Sequence, residues 1–209
     1  MPDLLFTGPE EARLTLMLAH GAGAPMDSGW MNAMAERLAG HGIRVARFEF
    51  GYMAARRSGQ RKPPPRAETL LGEYRGAVET LGPTKNLFIG GKSLGGRVAS
   101  MVADGLFAEG KIAGLVCLGY PFHPPAKPEQ LRAAHLKHLS APTLICQGTR
   151  DPFGTREEVS AYELSPRIGI DWLEDGDHEF KPRKPLTLDG NLDTAAAAVA
   201  SWMQKIGVD

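Results

Sequence analysis

Gly91-Lys92-Ser93-Leu94-Gly95 matches the spacing G-x-S-x-G. A short apolar run, Leu87–Gly90, leads into it, and a helical pattern carrying Val98, Met101 and Val102 follows. A nucleophilic serine needs that strand–turn–helix setting, because a sharp turn lifts the hydroxyl clear of the sheet. A Cβ two residues either side of the serine would collide with the neighbouring backbone, so glycine is expected at both places. Ser93 also falls at the head of a helix, where free backbone N–H groups favour developing negative charge. The overlapping string GGKS resembles the end of a phosphate-binding loop. Such a loop needs a glycine six residues before its lysine, and that position is Asn86, so the spacing fails.

A serine hydroxyl is a weak nucleophile until a base takes its proton and an acid orients that base. After a turn of this kind the partners follow in the order Ser, then Asp or Glu, then His. Asp151 lies just after the apolar run TLICQ, and His178 just after IDWL. Both therefore fall at the end of a strand, in the right order. The other histidines fit less well: His41 precedes a strand, His135 and His138 sit in a helical stretch, and His123 comes before any well-placed acid. Asp175 and Asp177 flank His178 too closely to reach behind its ring, and they read as turn formers. His20-Gly21-Ala22-Gly23 follows the first strong strand, where a second oxyanion N–H belongs. The expected donors are the backbone N–H of Leu94 and that of Ala22 or Gly23; His20 itself reads as a structural hydrogen-bonder.

The elements that must position these residues alternate. Strand-like runs are Leu14–Ala19, Ile43–Phe50, Leu87–Gly90, Leu115–Leu118, Thr143–Gln147 and Ile168–Leu173. Helical patterns cover Met31–Gly40, Ala67–Leu81, the stretch after Ser93, Leu131–Leu139, Glu157–Leu164 and Thr194–Ile206. Alternation of this kind implies a mostly parallel sheet covered on both faces. Strands buried on both sides read as unbroken apolar runs, as LVCL and TLIC do. Arg56–Arg66 contains three consecutive prolines and reads as a long exposed loop. In such sheets ligands bind beyond the C-terminal ends of the strands, where Ser93, Asp151, His178 and the HGAG loop all fall.

The order AHGAG, GGKSLGG, GTRDPFG, GDHEF resembles the small lidless α/β-hydrolases of dienelactone-hydrolase-like type. The phrases LGYPFHPP and HEFKPRK are similar to the branch of testis-expressed and KAT8-complex-associated hydrolases. The resemblance runs from about Thr15 to the closing helix. It implies a single-domain α/β-hydrolase fold over residues 1–209, with about six to seven strands, helices on both faces and no large lid. It also places Ser93, Asp151 and His178 on the family's triad positions. Dienelactone hydrolases carry Cys where this chain carries Ser93. The implied activity is a serine hydrolase cleaving a carboxylic ester or thioester; the alternative is a binding or scaffold protein that keeps the fold without the reaction.

Bulk properties limit the partners. Lys+Arg and Asp+Glu are both 24, so the net charge is zero and no global basic footprint for nucleic acid exists. No run reaches the length of a membrane span, and the N-terminus lacks the pattern of a signal peptide. Cys117 and Cys146 sit in apolar runs and read as buried thiols of a reduced, cytoplasmic protein. No cofactor or metal is expected. A small-molecule substrate and a monomer or small homo-oligomer are. Only about two dozen residues separate Leu118 from Thr143, which suits an open, shallow site for short or accessible acyl groups and not a triglyceride lipase. Arg56, Arg57, Arg61, Lys62, Arg66, Lys181, Arg183 and Lys184 lie in loops at this edge. They are read as a solvated surface in preference to a site for anionic substrates.

Overall fold

The computed structural model describes residues 2–60, 62–84 and 86–207. Among these residues are seven strands: β1 (Leu4–Thr7), β2 (Leu14–Ala19), β3 (Ile43–Phe48), β4 (Leu87–Lys92), β5 (Gly114–Leu118), β6 (Thr143–Gly148) and β7 (Ile168–Leu173). Six helices join them: α1 (Gly29–Gly40), α2 (Gly51–Arg57), α3 (Leu71–Leu81), α4 (Leu94–Ala108), α5 (Arg156–Ser160) and α6 (Leu188–Ile206). The strands form one sheet in the order β1-β3-β2-β4-β5-β6-β7. Every neighbouring pair is parallel except β1 with β3. This is the expected doubly covered, mostly parallel sheet of a single domain.

Burial explains the apolar runs. Every residue of β2, β4, β5 and β6 is buried. On one face α1 and α6 cover the sheet with Met31, Met34, Leu38, Val199 and Met203. On the other, α3 and α4 bring Tyr74, Ala77, Val98 and Val102. The chain runs from β2 outward to β3, then returns to place β4 on the other side of β2. That reversal opens a crevice beyond the C-terminal ends of β2 and β4. The HGAG loop leaves one of those ends, and Ser93 leaves the other.

Several boundaries differ from the sequence expectations. β3 ends at Phe48, and Phe50 becomes the N-cap of α2, a helix whose last two residues, Arg56 and Arg57, fall in the stretch expected as loop. The carboxylate of Glu73 accepts the Gly51 N–H at 2.6 Å, a tertiary contact that local patterning does not encode. The helical pattern from Ala67 opens as a 3-10 turn over Ala67–Thr69 before α3 begins. Leu131–Leu139 contains only a 3-10 turn, Ala134–His138. α5 stops at Ser160, and α6 starts at Leu188 because the Thr187 hydroxyl caps the Gly190 N–H at 3.1 Å. β1, four residues at the antiparallel edge, was too short to stand out. Between β5 and β6 the chain holds no inserted domain, only loops and that single turn.

Candidate active site

Ser93 sits between β4 and α4 with φ +50° and ψ −114°, a conformation L residues seldom adopt. The glycines around it are steric necessities. A Cβ at Gly95 would lie 2.5 Å from the carbonyl oxygen of Ala19, and one at Gly91 would lie 2.5 Å from the carbonyl carbon of Gly95. The first backbone bond of α4 of the i to i−4 kind is Arg97 N–H to Ser93 O, at 3.0 Å. The N–H groups of Leu94, Gly95 and Gly96 therefore precede the helical ladder.

Three loops bring the candidate triad together. The Ser93 hydroxyl lies 2.8 Å from His178 Nε2. The other ring nitrogen, Nδ1, lies 2.8 Å from Asp151 Oδ2 and donates to it. Asp151 is fully buried. Its Oδ1 accepts the Phe153 N–H at 2.8 Å, and its Oδ2 also accepts from Gln147 Nε2 at 2.9 Å. Gln147, near the end of β6, further accepts the Tyr120 N–H at 2.7 Å. It thus ties the acid to the loop after β5. The Phe153 ring packs on the imidazole, with centroids 4.2 Å apart. The acid and base loops touch directly: Arg150 N–H donates to Gly176 O at 2.9 Å, and a Cβ on Gly148 would lie 2.3 Å from that same oxygen.

Two flanking groups are held for structure. His20 accepts the Phe50 N–H on Nε2 at 3.1 Å and donates from Nδ1 to Gly21 O at 2.6 Å. Burial lowers its pKa, so the ring stays neutral. The Tyr52 hydroxyl donates to Ala22 O at 3.1 Å and pins the same loop. Asp177 Oδ1 accepts the N–H groups of Glu179 and Lys181 at 2.8 and 2.9 Å. Asp175 pairs with Arg183 and with Arg150, and the Arg183 hydrogen bonds hold its carboxyl well below the usual range. Both carboxylates therefore shape the turn around His178.

Lys92, inside the pentapeptide, is almost fully buried. Its ammonium donates to His178 O at 2.7 Å, lies 3.3 Å from Glu179 Oε1, and sits 5.4 Å from the Trp30 ring centre. Burial pulls its pKa down, against the pull of Glu179. Lys92 and Gln147 escaped the sequence reading. A lysine beside a nucleophile and a glutamine in a strand carry no spacing signal; what they do depends on the loops they reach.

Ser93 opens onto two cavities. One, of about 570 Å³, is lined by Leu94, Ala22, Arg66, Arg97 and Arg132 among others. The second, of about 240 Å³, is lined by Ala22, Gly23, Trp30, His178 and Glu179 among others. Ala22 borders both, Gly23 only the second. Of the loop cations taken as solvated surface, Arg57 is ion-paired to Glu49 and Asp27, and Arg183 to Asp175. Arg66 lines the larger of the two cavities at Ser93. Arg61 lies outside the described residues. Among the described residues, no group of three or more His, Cys, Asp or Glu side chains is placed to hold a metal ion, and no helix is long and apolar enough to cross a membrane.

Comparison with known proteins agrees with this architecture. The esterase Est1E from Butyrivibrio proteoclasticus, solved with ferulic acid bound, superposes with a TM-score of 0.74 at 14% identity, covering 98% of this chain and 95% of that one. A serine hydrolase without lid from Xanthomonas campestris gives 0.71 at 19% identity, covering 96% and 89%. A dienelactone hydrolase from Anabaena variabilis gives 0.73 at 23% identity, covering 97% and 91%. At these identities the likeness is one of fold. Residues 12–204 match the family model described as alpha/beta hydrolase domain. The chain belongs to the alpha/beta hydrolase domain family.

Proposed function

We propose that this protein is a serine hydrolase that cleaves a carboxylic ester or thioester through Ser93, His178 and Asp151. The observation that carries the proposal is the unbroken hydrogen-bond relay, 2.8 Å from Ser93 Oγ to His178 Nε2 and 2.8 Å from Nδ1 to Asp151 Oδ2. His178 Nε2 takes the Ser93 proton as Oγ bonds to the substrate carbonyl carbon. Asp151 holds the ring in the required tautomer and stabilises the imidazolium. The carbonyl oxygen, now carrying the electron pair, is held by the Leu94 N–H and by the Ala22 or Gly23 N–H. His178 then returns its proton to the leaving alcohol or thiol, and water repeats the sequence to free the acid.

The esterase and dienelactone hydrolase among the structural neighbours make ester cleavage the natural chemistry for this site. The finer likeness to the testis-expressed and KAT8-complex-associated branch rests on the phrases LGYPFHPP and HEFKPRK alone. A small-molecule substrate fits cavities open to solvent without an inserted domain. A cytoplasmic setting fits two free, buried thiols at Cys117 and Cys146. The test is turnover of short-chain acyl esters by the purified protein. Ser93→Ala is expected to lower kcat at least about a thousandfold. Turnover that survives this substitution would overturn the assignment.

A further inference from the structure

The two cavities at Ser93 are not equivalent. Resting on the serine-hydrolase reading, the leaving group must receive its proton from His178 Nε2. It therefore occupies the cavity that His178 lines, beside Trp30 and Glu179. The acyl group extends the other way, into the larger cavity beyond Leu94. That cavity holds Arg66, Arg97 and Arg132 with one acid, Glu68, a surplus of two positive charges.

The single acid is already committed. Arg97 Nη2 donates to Glu68 Oε1 at 2.6 Å, while Arg97 Nε is buried with no partner. Among the described residues, Arg66 and Arg132 have no carboxylate within ion-pair distance. The backbone of Arg132 is fixed, its N–H donating to Phe122 O at 2.7 Å and its carbonyl accepting the Tyr120 hydroxyl at 3.1 Å. Partial burial and the charge of Arg97 both push the Arg132 guanidinium below its usual pKa; a bound anion would reverse that push. A guanidinium is planar, stays charged, and presents a fork that matches a carboxylate.

We propose that the larger cavity selects acyl groups carrying a carboxylate, so that the substrate is a monoester or monothioester of a dicarboxylic acid, its free carboxylate held by Arg132 and Arg66 beside Arg97. The site is assembled by three segments far apart in sequence: the loop before the Ala67–Thr69 turn, the first turn of α4, and the loop between β5 and β6.

The test uses two matched pairs of ethyl esters: butyrate with hemisuccinate, and hexanoate with hemiadipate. Within each pair the acids differ only in a terminal methyl or carboxylate. The wild type is expected to prefer the carboxylate member of at least one pair by about tenfold or more in kcat/KM. Raising the salt should shrink that ratio. Arg132→Gln, and separately the exposed-site variant Arg66→Gln, should move it toward one. The ratio cancels any loss common to both esters, so an unspecific defect does not imitate the effect. A wild-type ratio of one or less in both pairs would overturn the proposal, as would a preference that both substitutions leave intact. A protein whose Ser93 reacts with a fluorophosphonate but which cleaves no member of either pair also overturns it, leaving the hydrolase reading in place. Neither cleavage nor labelling would sink both.

Discussion

At the scale of single residues, chemistry and legibility part company. Ser93, Asp151 and His178 could be picked from sequence because their order and strand-end positions are constrained. Gln147 could not, although it donates to the same Asp151 oxygen that receives the imidazole N–H. That shared acceptor has a consequence. Removing the Gln147 donor leaves the Asp151 carboxylate less firmly held behind the imidazole. Gln147→Leu should therefore lower kcat for ester turnover. It should also lower unfolding free energy by about 1–3 kcal/mol, since the Tyr120 N–H loses its acceptor. Unchanged turnover in a variant that folds would show that Gln147 does not position the acid. Arg97 and Arg132 were equally invisible from sequence. One lies on α4 and the other in an irregular loop, and only the folded chain puts them in one cavity.

At the scale of elements, the turn from β4 to α4 leaves its glycines no room for a side chain. Its glycines were foreseen for steric reasons, and the packing distances give those reasons a magnitude. Gly95→Ala sets a methyl 2.5 Å from the backbone oxygen of Ala19. Backbone cannot move aside as a flexible side chain would, so the turn or β2 must shift. The expected cost is about 1–3 kcal/mol or more in denaturant unfolding, with loss of ester turnover. A fully stable, fully active Gly95→Ala protein would contradict the geometry. Elements held by tertiary contacts were the ones misplaced from sequence. α2 starts where Glu73 reaches across to Gly51. Leu131–Leu139 holds only a 3-10 turn, flanked by tertiary contacts: Arg132 N–H donates to Phe122 O at 2.7 Å and the Asp104 carboxylate accepts the Ser140 N–H at 2.8 Å. Periodicity sees only neighbours along the chain, so it reports neither contact.

Across the whole molecule, the order of strands was less legible than their existence. Apolar runs identify buried strands, but nothing local says that β4 returns beside β2. That return decides where the crevice opens, and hence that the HGAG loop and Ser93 share it. Global stability carries its own signature. His20 and His135 both have pKa values lowered by burial. Below pH 6.5, the ordinary histidine value, the unfolded chain takes up protons that the folded chain refuses. Their stabilising effect is therefore complete above that pH and declines as pH falls toward the folded values. Denaturant unfolding should show lower stability at about pH 5.5 than at about pH 7.5. His135→Gln, which keeps a donor near the Ser100 hydroxyl, should flatten part of that slope. Equal stability at both pH values would refute this assignment.

An activated Ser93 is what the proposed chemistry requires, and labelling by a fluorophosphonate probe measures that activation directly. Intact mass of the treated wild type should show a single adduct, mapped to Ser93 by peptide analysis, and Ser93→Ala should show none. A folded wild type that takes up no label, or that takes it up elsewhere, would contradict the central claim.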